Sequence, residues 1–377
     1  LPPTSSRKAN RSWCWASKQH RERHTSGITT AKHATFEFGR SAMSNSSEKI
    51  KIRRRCHGGV AIAIAAATAL AAPVSSSFGA PAHGQTLSAQ EHKADVSFLE
   101  IDKDITLRRM VVRNANPKGT VLFLHGFPET MYAWKDIALT LAGDYEVHAF
   151  DWPGFGLSSR PTVDRYSYAP RDFARVLNDY IRKAGIETSK LTVYATDIGA
   201  LPALLLAQEK PGIATSIIVG DFAPFDRPQY MYESLQSLKA GPSMDQARDH
   251  LNKNRDDILE NAFRRGLPKE AQFDVPREFK DDMSRAWGHG AITTADAFSR
   301  YYAHFTRDQN HFESNLERLE IPVKVVWGEK DLYIKKEMGI ELADKIGAEL
   351  TLLPGIGHYP HLQDPQQTID EVRAAFR

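Results

Sequence analysis

The chain has 377 residues, 41% hydrophobic and 25% charged, enough for one large or two ordinary domains of water-soluble make-up. Its formal charge of +3 comes from its front: residues 1–82 hold 13 Lys and Arg against 3 Asp and Glu, which leaves the remainder at −7. No basic patch then remains to suggest nucleic acid. Cys14 and Cys56 are the two cysteines and both fall in that front segment, so residues 83–377 exclude disulfides, thiol catalysis and Cys-based zinc sites.

Residues 1–42 mix Ser, Thr, Arg, Lys and His without apolar periodicity and precede the first methionine, Met43. They are expected to be leader sequence rather than folded protein. Residues 43–82 have the three parts of a secretory signal. A basic stretch (Lys49, Lys51, Arg53, Arg54, Arg55) precedes an apolar run from Val60 to Ala72, and Ala80-Pro81-Ala82 follows as a small-residue cleavage site. The run is short for a membrane span. A periplasmic or secreted location is the expectation, with no stable membrane span after cleavage.

From Val96 the chain alternates. Two strand-like runs, SFLEID and ITLRRMVVR, flank Lys103-Asp104 as a hairpin. Gly119 to Leu124 is a continuous apolar strand that stops at His125-Gly126-Phe127-Pro128. A short helix from Trp134 to Leu141, a strand from Tyr145 to Phe150 and the loop DWPGFG follow. Apolar residues at helical spacing (Phe173, Val176, Leu177, Tyr180, Ile181) predict a helix over 168–184 with Gly185 beyond its end.

The run LTVYATDIGALPALLLAQ, Leu191 to Gln208, passes from strand to helix with no linker, pinning Asp197 in the turn. Ala195 and Gly199, two residues to either side, supply the small side chains that a nucleophile elbow requires, with Asp where GxSxG has Ser. Asp is also a good helix N-cap, so this stretch alone leaves both readings open.

A strand from Ile213 to Val219 ends the first part of the core, residues 83–220. Residues 221–319 read as helices without strands, an inserted cap. Strand–helix alternation resumes in residues 320–377: strands at Val323 to Trp327 and Glu349 to Leu353, helices at Lys335 to Ile346 and Pro365 to Phe376. The pattern predicts an α/β fold, a mostly parallel eight-stranded sheet covered on both faces, with its functional loops sharing the carboxyl edge.

Four strand-end loops carry reactive residue types: HGFP, TDIGA, GEKDLY and GIGHYPH. Asp197, Asp331 and His358 thus occur in the order nucleophile, acid, base, which raises Asp197 from a cap to a nucleophile. Asp221 is a fallback acid, His361 a competing base, and His125 a loop-shaping residue. Backbone amides of Phe127 and Ile198 are expected to form the oxyanion hole. No GxSxG occurs, which disfavours a serine esterase. An Asp nucleophile suits attack on sp3 carbon, opening an epoxide or displacing a halide, followed by hydrolysis of the alkyl ester. The nucleophile, base and acid suffice, so no metal or organic cofactor is implied, and the partners expected are a small apolar organic substrate and water.

HGFPETMYAW, DWPGFGLSSRP, the Asp elbow, WGEKD and GHYPHLQDP together resemble the α/β-hydrolase superfamily, most closely its epoxide hydrolase and haloalkane dehalogenase branch, over essentially all of residues 96–377. The resemblance implies the α/β-hydrolase fold with a helical cap, and a covalent Asp mechanism. Departures lie beside the nucleophile. Epoxide hydrolases usually read GHDWG where this chain reads ATDIG, and dehalogenases usually hold halide with a Trp after the nucleophile and an Asn in the HGNP position, where Ile198 and Phe127 stand. Haloacetate dehalogenases place Arg near the nucleophile, and this chain does not. The epoxide hydrolase branch implies two cap tyrosines that protonate the leaving alkoxide; Tyr230, Tyr232, Tyr301 and Tyr302 are available, with Tyr302 and then Tyr301 favoured. Epoxide hydrolysis is the leading expectation, with a haloalkane-type dehalogenase or a non-catalytic ligand-binding relative as alternatives.

Overall fold

The computed structural model describes residues 92–239 and 241–377. The signal-like segment, its cleavage site and both cysteines lie outside the described residues. Eight strands form one sheet: β1 (Ala94–Glu100), β2 (Thr106–Val112), β3 (Thr120–Leu124), β4 (Glu146–Phe150), β5 (Leu191–Thr196), β6 (Ser216–Gly220), β7 (Val323–Gly328) and β8 (Glu349–Leu353). Their order is β1-β2-β4-β3-β5-β6-β7-β8. β1 and β2 form an antiparallel hairpin and β2 runs antiparallel to β4, while every pairing from β4 to β8 is parallel. The parallel strands end together, so their following loops meet on one edge.

Sequence accounts for most element limits. In the hairpin, Asp102 Oδ1 accepts from the amides of Asp104 and Ile105, an Asx turn. Helix α1 (Lys135–Leu141) follows a 3-10 turn at Met131–Trp134. The predicted 168–184 helix is α2 (Pro170–Lys183): it starts two residues late because Tyr168 has φ +63°, outside the right-handed basin, and Pro170 takes the first helical position. Its end is a Schellman motif, with Gly185 N–H to Arg182 and Ile186 N–H to Ile181 carbonyls. The strand expected from Ile213 starts instead at Ser216, because Ile213 N–H turns back to the Lys210 carbonyl.

Helix α3 (Ala200–Glu209) follows β5 and is buried along almost its whole length. Between β6 and β7 the described residues form helices only: α4 (Glu233–Gln236), α5 (Met244–Lys253), α6 (Arg255–Asn261), α7 (Arg277–Trp287), α8 (Thr294–Ala303) and α9 (Phe305–Glu313), with short 3-10 turns. Helices α10 (Lys336–Ile346), α11 (Pro360–Gln363) and α12 (Pro365–Ala375) complete the core. Among the described residues, no helix is long and apolar enough to cross a membrane.

A buried ionic cluster joins the α4–α9 segment to the sheet. Arg108 of β2 is 3% exposed and donates through Nε to Asp151, and through both terminal nitrogens to Asp282 of α7. Asp282 also accepts from Thr130, and Asp151 from the amides of Met131 and Leu157. Burial disfavours the guanidinium charge, but the two carboxylates outweigh it and raise the Arg108 pKa. Removing one partner would leave charge buried and under-paired. Asp282→Ala is expected to cost about 3 kcal/mol, read as a lowered midpoint in chemical denaturation.

Candidate active site

β5 is apolar and fully buried through Thr196, and the chain then turns at Asp197 with φ +47°, the left-handed region that Asp tolerates better than most residues. A 3-10 turn, Asp197–Gly199, leads directly into α3. Small residues make the turn possible. A Cβ on Gly199 would lie 3.0 Å from the Leu124 carbonyl, and one on Gly126 would lie 2.7 Å from the Asp197 side chain. HGFP and the elbow therefore approach one another only because both carry glycine.

Asp197, Asp331 and His358 come together as the sequence order predicts. Asp197 Oδ2 accepts from the Phe127 amide at 2.7 Å and lies 4.0 Å from His358 Nε2. His358 Nδ1 is 2.8 Å from Asp331 Oδ2, and Asp331 Oδ1 accepts from the amides of Tyr333 and Ile334. An imidazole held at Nδ1 by one carboxylate, with Nε2 turned to another at a strand–helix elbow, has the geometry of a nucleophile, base and orienting acid. Burial alone would lower the His358 pKa, but Asp331 and Asp197 overcome it and raise it well above the ordinary 6.5.

The two expected oxyanion amides differ. Phe127 N–H already bonds the carboxylate, whereas Ile198 N–H makes no bond to it and the Ile198 carbonyl accepts from the Tyr301 hydroxyl at 3.1 Å. That bond also separates the two cap tyrosines. Tyr301 is fully buried with its hydroxyl committed to Ile198, and it does not line the cavity over Asp197. Tyr302 does, and so does Tyr232. Tyr302 is fixed by packing edge-on to Phe298, 4.9 Å between ring centres, and Phe298 in turn stacks on Phe127 at 4.0 Å. Burial, with Asp197 second, keeps the Tyr302 hydroxyl protonated far above its ordinary range.

The cavity is mostly apolar, lined by Leu235, Leu251, Ile258 and Phe298 together with Asp197 and His358. Arg265 reaches its edge, paired at 2.6 Å with Asp257. No Trp or Asn side chain lines it among the described residues. Asp221, Asp331 and His358 each bring a donor atom within 4.8 Å of the others, a spacing a metal could use. Ligation there would break the Asp331–His358 bond, so the donor set fits a hydrogen-bonded cluster better.

The family described as "Alpha/beta hydrolase family" matches residues 121–371. The chain belongs to that family. Epoxide hydrolase 1 of Caenorhabditis elegans is 25% identical over 283 residues, which is 70% of this chain and 66% of that relative, just under two thirds of its length. The fold is similar to that of the epoxide hydrolase CorEH, with a TM-score of 0.62 and 18% identity over 75% of this chain and 99% of the other. It is also similar to a haloalkane dehalogenase of Bradyrhizobium elkani, with a TM-score of 0.61 and 18% identity over 75% and 98% of the chains.

This alpha/beta hydrolase holds a second histidine in the same loop for a different task. His361 is 2% exposed, stacks on Trp134 at 4.2 Å and places Nε2 2.6 Å from Glu129 Oε1. Glu129 Oε2 accepts from the Gly126 amide, and the Tyr359 hydroxyl donates to the Phe127 carbonyl. His361 is thus turned away from Asp197 and braces the HGFP loop that presents the Phe127 amide. In the sequence, the one signal of Glu129 is an acid directly after HGFP. His125 is also occupied internally, with Nδ1 2.8 Å from the Gly126 carbonyl and Nε2 accepting from the Trp152 amide.

Because Asp197 helps to raise the His358 pKa, removing its charge lowers it. In Asp197→Asn, the His358 ring signals in NMR are expected to titrate at lower pH than in the wild type; an unchanged or higher midpoint would contradict the coupling.

Proposed function

We propose that this hydrolase opens epoxides to diols through an alkyl ester on Asp197. The observation that carries the reading is that the Tyr302 side chain lines the same apolar cavity as the elbow aspartate, with His358 Nε2 4.0 Å from Asp197 Oδ2. Asp197 Oδ1 attacks one ring carbon, the carbon–oxygen bond of the strained ring breaks, and the alkoxide takes the Tyr302 proton. Tyr232 on the same wall is the second candidate donor; Tyr301 is not, since its hydroxyl is bonded to Ile198.

Ester formation removes the Asp197 charge, which lowers the His358 pKa and readies it to accept a proton. His358, oriented by Asp331, then takes a proton from water as the water oxygen attacks the Asp197 carbonyl carbon. The developing oxyanion at Oδ2 keeps the Phe127 N–H bond, and Ile198 N–H is the second donor in this reading. Collapse of the tetrahedral intermediate breaks the bond between the Asp197 carboxyl carbon and Oδ1. Of the two protons then held by the His358 imidazolium and the new carboxyl, one goes to the leaving alkoxide and one back to the Tyr302 phenolate, which releases the diol and restores the carboxylate. Over a dehalogenase, the reading is supported by Ile198 and Phe127, which offer no side-chain N–H to a leaving halide. We further infer export to the periplasm or medium, on the strength of the basic, apolar and small-residue order in residues 43–82.

The test is His358→Gln. It is expected to lose at least about 100-fold in turnover of terminal epoxides while still forming the ester, so intact-protein mass rises by the mass of one substrate. No adduct on an epoxide panel, with halide released from a haloalkane panel by the wild type, would replace this reading with dehalogenation. The kcat of the wild type is expected to fall at acid pH, where His358 in the ester form is protonated. N-terminal sequencing of protein recovered outside the cytoplasm checks export: a start close to residue 83 is expected.

A further inference from the structure

The structure points to a neutral partner for the Asp331–His358 pair that the reaction above does not use. Asp221 directly follows β6, one strand over from Asp331 after β7. It is fully buried, and its backbone sits at φ +52°, one of three non-glycine residues with positive φ among the described residues. Asp197 is another. Two of these three left-handed residues are therefore aspartates that end neighbouring parallel strands and turn toward one imidazole.

The donors around this cluster can be counted. Asp331 Oδ1 has two amides and Oδ2 has His358 Nδ1. Asp221 Oδ1 has the Gly328 amide at 2.9 Å. Asp221 Oδ2 is buried and has no partner among the described residues. An ionised carboxylate oxygen left bare in the interior is costly. A protonated one is a donor and needs an acceptor, and within the 4.8 Å cluster His358 Nδ1 is already committed to Asp331. The Asp331 carboxylate is the acceptor that remains.

We propose that Asp221 is a neutral carboxylic acid whose Oδ2 proton is donated to the Asp331 carboxylate, making Asp221 a positioning residue for the acid that holds His358. Charge gives the same answer. With Asp197, Asp331 and Asp221 all ionised, a single imidazolium would face three buried or half-buried carboxylates; a neutral Asp221 removes one. Burial first and the Asp331 charge second hold the Asp221 carboxyl well above the usual carboxylate range. The extra donor on Asp331 also weakens its pull on the imidazolium, which keeps His358 closer to the neutral form that a base requires. The kinetic part rests on His358 acting as that base; the protonation state does not.

Infrared difference spectra between wild type and Asp221→Asn, at neutral pH in H2O and D2O, read the proton directly. A deuterium-sensitive carbonyl stretch of a protonated carboxyl is expected in the wild type and absent from Asp221→Asn. Its absence from the wild type overturns the proposal, whether or not epoxides are substrates. In kinetics, Asp221→Asn keeps an acceptor for Gly328 and a donor for Asp331, so kcat is expected within about threefold of wild type. Asp221→Ala removes the donor and is expected to lower kcat about tenfold with KM little changed, and to move the acid limb of kcat to higher pH. If Asp221→Asn, with a wild-type melting temperature, loses as much as Asp221→Ala, the carboxyl is not acting as a neutral donor. Should Asp221→Ala not fold, the infrared comparison and Asp221→Asn still decide.

Discussion

An imidazole held between carboxylates in a buried site is stable only where the charges are balanced and the oxygens have donors, and the carboxyl edge of this sheet is built around that demand. Parallel strands deliver their backbone amides and side chains to one edge. Tyr333 and Ile334 amides hold Asp331, the Phe127 amide holds Asp197, and the Gly328 amide holds Asp221. Each donor comes from the last residue of a strand or from the loop that follows one. Change the sheet order and the donors no longer meet the acids, however well each loop keeps its own turn.

The loops themselves are braced by polar contacts away from the cavity. Glu129 ties the Gly126 amide to His361, and the Tyr359 hydroxyl donates to the Phe127 carbonyl, so the loop carrying His358 and the loop carrying the Phe127 amide are joined by direct hydrogen bonds. The helical segment between β6 and β7 is tied down in turn through Arg108, Asp282 and Asp151. Its apolar residues close the cavity and its Tyr302 is aimed through the Phe127–Phe298 stack. Fold, bracing and site are thus linked through a few fully buried polar pairs, each sensitive to the loss of one member.

Much of this was legible beforehand because the fold rests on local signals. Apolar runs ending in Gly, Pro or polar clusters marked the strands, and the period of Phe173, Val176, Leu177, Tyr180 and Ile181 marked α2. The order of Asp197, Asp331 and His358 pointed to the cluster, since strand-end loops in a parallel sheet have only one edge to share. The departures from the local signals are themselves local: β6 begins three residues after the start of its apolar run, and α11 is a one-turn helix inside the GHYPHLQDP segment. The role of Glu129 is not legible in the sequence because its partner His361 lies 232 positions away, and no pattern in one segment reports such a pair.

The sequence by itself determined the alternation of strands and helices, the family resemblance and the identity of the elbow aspartate, because each is written in contiguous residues whose spacing carries the physics. Only the tertiary structure decided between members of a like pair. Tyr301 and Tyr302 are adjacent in sequence and equal in chemistry, yet one hydroxyl is bonded to the Ile198 carbonyl and the other side chain lines the cavity. His358 and His361 lie three residues apart, and their partners on distant strands, Asp331 and Glu129, turn one toward Asp197 and the other toward Trp134. Neighbours on a helix or loop face different directions, and what each meets there is set by chain far removed in sequence.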